Sequence, residues 1–176
     1  MQPNSDKLIR SLDQKPHESH YVYVETIIDR PVEAVWPHAL DIGSWMSAHR
    51  LETIAGEPMK VGHFERVHPR GLRAEVPLPH YHLYGIAEVI PLKLIALEVL
   101  PEKGGSYGEA NEWVSFDSIL FSNMGDRTKV TFLMVEVQLG LWTEESKRNR
   151  RAVLNGVPEM LEGYFENLRL LVERGS

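Results

Sequence analysis

YVYVETIIDRPVEAVWPHALDIGSW, from Tyr21 to Trp45, is the stretch that decides the fold. Tyr21 to Ile28 concentrates β-branched and aromatic residues, as a strand requires, and Asp29-Arg30-Pro31 stops it. Pro31 suits the first position of a helix, where a missing N–H costs nothing, and Val32, Val35, Trp36 and Leu40 recur at helical spacing. Pro37 and Gly43 keep that helical region short. The segment through His49 therefore reads as one strand followed by two short helices.

Downstream, Arg50 to Ala55 and Val61 to His68 read as strands separated by the turn residues Gly56-Glu57-Pro58. Arg70 to Pro79, with Gly71, Pro77 and Pro79, reads as a long irregular connection placed to cover a pocket. Four more strands are expected at His80 to Ile90, Lys93 to Leu100, Asn111 to Phe121 and Arg127 to Leu139. Pro91-Leu92, Lys103 to Ser106 and Asn123 to Asp126 carry the turn chemistry between them, so the order is an antiparallel meander.

The period changes after the last strand. Leu154, Val157, Met160, Leu161, Tyr164, Phe165, Leu168, Leu171 and Val172 follow three- and four-residue spacing, the signature of an amphipathic helix. Thr143 is the expected N-cap, with Glu144 and Glu145 complementing the helix dipole. Gly156 and Pro158 predict a kink or two abutting helices. The first nineteen residues, polar and carrying Pro3 and Pro16, read as a loosely attached arm, leaving residues 20–176 as one domain.

A chain of 176 residues, 43% hydrophobic, can bury a core without cross-links. It has no cysteine, which excludes disulfides, thiolate metal sites and a cysteine nucleophile and fits a cytoplasmic location. No window approaches the ~18 apolar residues of a membrane helix. A net charge of -6 gives no general attraction to nucleic acid or anionic membranes. Walker, GxGxxG, GxSxG and HExxH signatures are absent. No cofactor is implied.

The order of one strand, two short helices, six strands and a long terminal helix resembles the START-like or helix-grip superfamily (SRPBCC), which includes polyketide cyclases and aromatases, pollen-allergen-like proteins and lipid-transfer domains. The resemblance spans about Tyr21 to Glu173. It rests on Arg30-Pro31-Val32-Glu33-Ala34-Val35-Trp36, Asp41-Ile42-Gly43-Ser44-Trp45, Glu88-Val89-Ile90-Pro91-Leu92-Lys93-Leu94, Asp126-Arg127-Thr128-Lys129-Val130-Thr131-Phe132 and the terminal helix. It implies an α+β fold: a curved antiparallel sheet of about seven strands around the C-terminal helix, with a hydrophobic cavity between them.

Candidate site residues follow from alternation along the strands. Val130, Phe132 and Met134 share one face of the last strand, and Glu136 and Gln138 continue it, so Glu136 is either a polar anchor or general base at the end of an apolar cavity or the point where the strand emerges into solvent. Leu133, Val135 and Val137 make the opposite face apolar too, which asks for a covering loop, partner or second subunit, a homodimer among them. The expected lining comprises Trp45, Met46, Phe64, Phe116, Phe132, Met134, Leu161, Tyr164 and Leu168, with Glu136.

His80 and His82 share a strand face, as a metal pair would, but no third ligand is identifiable and the apolar alternate positions place both outside; His63 and Glu65 form a weaker pair of the same kind. A cupin-like metal protein is thus a minor alternative, and no metal site is assigned. Lys147 to Arg151 reads as a solvated helix face. The functional expectation is binding of a hydrophobic, lipid-like or aromatic small molecule. Two alternatives accompany it: a cyclase or aromatase using Glu136, Tyr164 or His82 for proton transfer, and an interaction module whose cavity its own side chains fill.

Overall fold

The computed structural model describes residues 18–46, 49–69, 82–101, 112–139 and 142–175. Strand β1 (Ser19–Ile28) leads into helices α1 (Val32–Leu40) and α2 (Ile42–Trp45). Strands β2 (His49–Ala55), β3 (Phe64–Pro69), β4 (His82–Ile90), β5 (Leu94–Pro101), β6 (Glu112–Asn123) and β7 (Thr128–Leu139) follow, and α3 (Glu144–Arg174) closes the chain. The strands form one seven-stranded sheet in the order β1-β7-β6-β5-β4-β3-β2, every pairing antiparallel. This is the helix-grip architecture.

Local chemistry adjusts the expected boundaries. Pro31 is the N-cap of α1, in extended conformation with ψ 154°, one position earlier than expected, and Pro37 lies inside the helix rather than after it. Strand β3 starts at Phe64 and not Val61, because Gly62 takes φ +85° in the preceding turn. Thr143 caps α3 as expected, its Oγ1 accepting from the Ser146 amide at 3.1 Å. The helix then runs unbroken past Gly156 and Pro158, so the expected alternative of two abutting helices does not form. Leu154 before the proline and Leu161 after it enter the same core, which packs both halves against one sheet.

The core lies between the concave sheet face and the helices. Ile28, Ile95, Ile119 and Val130 from the sheet meet Val35 of α1, Trp45 of α2 and Leu161, Phe165 and Leu168 of α3. Trp36 of α1 stands edge-on to Phe121 of β6, ring centroids 5.2 Å apart.

Residues 1–17 of the expected arm, and the connection Arg70 to Pro79, lie outside the described residues. Glu18 and Ser19, read from sequence as arm, belong to the fold. Ser19 opens β1, the Glu18 carbonyl accepts from the Gln138 amide at 2.9 Å, and the Glu18 carboxylate meets Lys147 at 3.0 Å and Arg151 at 3.4 Å. Among the described residues no helix is long and apolar enough to cross a membrane.

Candidate functional site: a cavity between the sheet and the terminal helix

Directly paired residues of neighbouring strands point to the same sheet face, so the register lays out the concave surface in rows. One row runs Glu136–Ser115–Val99–Tyr84 across β7, β6, β5 and β4. The next runs Met134–Asp117–Leu97–Ile86, and another begins Phe132–Ile119–Ile95. Above them passes α3, with Arg150, Leu154, Val157 and Leu161 facing down. The space enclosed is a cavity of about 330 Å³. Met46, at the end of α2, closes one side of it. Arg150 and Leu161 mark its two ends on α3, roughly 16 Å apart at the rise of a helix. Val153 also lines it and is exposed, so the cavity reaches the surface beside that residue.

The two ends differ in chemistry. Around Leu161, Phe132 and Met46 the walls are apolar. Around Arg150 they carry Trp113, Ser115, Asp117 and Glu136. Glu136 has no exposed surface and Arg150 is also buried. The Arg150 Nε donates to both carboxylate oxygens, at 2.9 and 3.1 Å, and Nη2 donates to Oε2 as well. The guanidinium carbon sits 4.4 Å over the Trp113 ring, a cation–π contact in a desolvated setting. This pairing takes up both oxygens of Glu136 and leaves it poorly placed to accept a substrate proton.

Asp117 is the contrasting carboxyl. It is buried, faces the cavity, and its Oδ1 accepts a 2.6 Å hydrogen bond from the Ser115 hydroxyl two residues earlier. Burial raises its pKa to about 7, against the lowering effect of the Ser115 bond; the Glu136 charge raises it further and Arg150 lowers it. The Tyr84 phenol is also held above its ordinary range, first by desolvation and then by Asp117 and Tyr164.

The structure sorts the sequence candidates into four groups. Met46, Phe132, Met134, Glu136 and Leu161 come together around the cavity. Trp45, Tyr164 and Leu168 are core residues outside its lining: the Trp45 indole donates to the Ala39 carbonyl at 3.3 Å and stands edge-on to Tyr164 at 6.4 Å. Phe64 and Phe116 are corrections. They share the row Tyr21–Val135–Phe116–Glu98–Gly85–Phe64, which lies on the outer face, where Phe116 and Tyr21 are exposed. The side chain of His82, and all of His80, lie outside the described residues.

Arg150 is a further correction. The run Lys147 to Arg151 was expected to be solvated, but Arg150 alone of it turns inward, because it falls one helical turn before Leu154 on the buried stripe. Sequence reasoning missed Asp117 and Ser115. Their signal is alternation: Trp113, Ile119 and Phe121 are inward at odd positions of β6, and the same count carries Ser115 and Asp117 inward. The pair His63 and Glu65 forms elsewhere, with the His63 Nε2 3.2 Å from Glu65 and Nδ1 3.1 Å from the Ala55 carbonyl. Among the described residues no group of three metal-binding side chains gathers.

A concave antiparallel sheet gripping one long helix over such a cavity defines the helix-grip fold, and solved structures agree. A norcoclaurine synthase from Thalictrum flavum superposes with a TM-score of 0.64 at 16% identity, over 93% of this chain and 100% of that one. The Ara h 8.0201 protein gives 0.60 at 13%, covering 89% and 99%, and a conserved protein from Geobacillus kaustophilus gives 0.60 at 13%, covering 88% and 96%. No protein-family model and no curated protein matches the sequence. The likeness is one of fold.

Proposed function

We propose that this protein binds a small, largely apolar molecule in the cavity under α3, with the ligand's polar group against the end that carries Asp117. The observation behind this reading is the two-ended cavity itself. Its volume of about 330 Å³ is that of a small-ligand pocket, its long walls are apolar, and two buried carboxyls line it, of which Glu136 is held by Arg150 and Asp117 by Ser115. A filled core would have no such space. The test is native mass spectrometry after mild purification, followed by titration with a fluorescent hydrophobic probe. A retained small molecule, or saturable one-to-one probe binding, is expected. Met134→Trp, which fills the cavity, should weaken the probe at least tenfold, whereas Phe116→Ser on the outer face should leave it unchanged. Absence of both retained ligand and probe binding rejects the reading in favour of a filled interaction module.

A second reading, catalysis of the cyclase type, draws on one specific group. A carboxyl titrating near pH 7 inside an apolar cavity can both take and return a proton, and the neighbouring fold of norcoclaurine synthase has been seen with a transition-state analogue. The proton carrier is then Asp117 rather than Glu136. Asp117→Asn should abolish turnover of a reactive polyketone while probe binding survives; unchanged turnover removes Asp117 from any mechanism.

A further inference from the structure

Among the described residues the charges at the polar end of the cavity do not balance once Asp117 is ionised, and the imbalance specifies a ligand. Arg150 is matched by Glu136 and stacked on Trp113, so its charge is spent inside the protein. The groups facing Asp117 are Tyr84 from β4, Glu136 from β7 and Arg150 from α3, with Tyr164 of α3 acting on Tyr84; β5 contributes Leu97 and Val99. The two phenols are uncharged through the neutral range. Among the described residues Ser115 is the hydrogen-bond partner of the Asp117 carboxyl, and it occupies Oδ1. The second oxygen is left for whatever enters the cavity.

From this ledger the geometry points to a charge-selective site that takes an amine, bound as an ammonium ion against Asp117 with its apolar body toward Leu161, and that refuses the matching carboxylate. The inference rests on the ligand-binding reading above. An ionised Asp117 leaves the polar end with one uncompensated negative charge, and in a desolvated cavity a single cation restores neutrality at short range. A ligand carboxylate would bring a second negative charge to the same place, where the Arg150 Nε and Nη2 already hold the Glu136 carboxylate. A neutral hydroxyl satisfies the free oxygen without closing the charge deficit.

Ammonium binding also displaces the proton that Asp117 holds below neutrality, so affinity and protonation are linked. This linkage separates the three ligand chemistries without any variant. Isothermal titration with naphthylmethylamine, naphthylmethanol and naphthoate, each from pH 6 to pH 8, is the experiment. The amine is expected to bind tightest and to gain about tenfold between those limits as Asp117 ionises. Paired buffers of different ionisation enthalpy should register a release of roughly half a proton per amine bound at pH 7. Asp117→Asn should flatten the amine's profile and erase its advantage over the alcohol. Naphthoate binding as tightly as the amine, or an amine affinity flat across the range, overturns the inference while leaving ligand binding intact. If none of the three binds while the fluorescent probe does, this inference alone falls; if the fluorescent probe fails as well and no ligand is retained, the ligand-binding reading falls with it.

Discussion

Arg150 reaches from the first turns of α3 to Glu136 on β7 and donates to both oxygens of a carboxylate that has no exposed surface. The pair pins the N-terminal part of the helix to the sheet at the polar end of the cavity. Buried ion pairs of this kind gain little over an apolar pair of similar size, but removing one partner strands the other charge. Glu136→Gln or Arg150→Met should therefore each destabilise the fold by about 3–5 kcal/mol. The double change Glu136→Leu with Arg150→Met should recover most of the loss. Urea denaturation checks both; single variants as stable as the parent would show that the pair is not buried in solution.

Asp117 sets a dependence on pH with a definite sign. Its folded pKa, about 7, stands above the ordinary 3.8, so between these values the folded state holds a proton that the unfolded state has released. Stability from this group is full below about pH 4 and is lost as pH rises through 7, on the order of 4 kcal/mol in all. The lowered carboxyls Glu18, Glu25 and Glu166 act in the opposite direction, which makes the difference between parent and Asp117→Asn the informative quantity. Urea midpoints from pH 4 to pH 8 should show the variant gaining on the parent as pH rises. A constant difference would mean that Asp117 titrates as an ordinary surface carboxyl.

Two glycines invite opposite outcomes. Gly56 adopts φ +80°, and a Cβ there would stand 2.6 Å from the Gly62 carbonyl oxygen and 2.7 Å from the His63 Cα. Gly56→Ala should cost roughly 1–3 kcal/mol, since backbone must move on both counts. Gly156, inside α3 and on the cavity wall, has nothing within 4 Å of an added Cβ. Gly156→Ala should raise stability by about 1 kcal/mol from helix propensity. Thermal melts of the two variants ought to shift in opposite directions.

Thr143 offers a smaller, local test. Its hydroxyl caps the Ser146 amide at 3.1 Å, and loss of an N-cap costs about 1 kcal/mol. Thr143→Ala should lower the denaturation midpoint by that amount, and Thr143→Asp should restore it. No loss on Thr143→Ala would show that the ion pairs of Glu136 with Arg150 and of Glu18 with Lys147 hold the start of α3 without the cap.

Much of the fold was legible because its signals are local. The β-branched run from Tyr21, the turn residues between strands and the apolar stripe from Leu154 to Val172 each act within a few residues. The site was less legible because facing depends on register between distant strands. Phe116 is as apolar as Phe132, yet pairing with Val135 and Glu98 turns it outward. Asp117, placed opposite Met134 and Leu97, turns inward despite its charge. Arg150 lay in a run of charges whose composition says surface, and only its distance of four from Leu154 says otherwise. Glu136 was found because its neighbours Phe132 and Met134 fix its side of β7 without reference to another strand.

The pairing of β1 with β7 joins Ser19 to Val137, the earliest described strand to the last. During synthesis, Tyr21 to Ile28 therefore emerges long before the partner that satisfies its backbone, and every other strand must be made in the interval. The container is also finished late, since Leu161 supplies one of its walls. A nascent chain stopped short of α3 has a bare concave sheet with Phe132, Met134 and Ile119 uncovered. Until α3 has been made, Leu154 and Leu161 are missing from the walls, and nothing can be enclosed there.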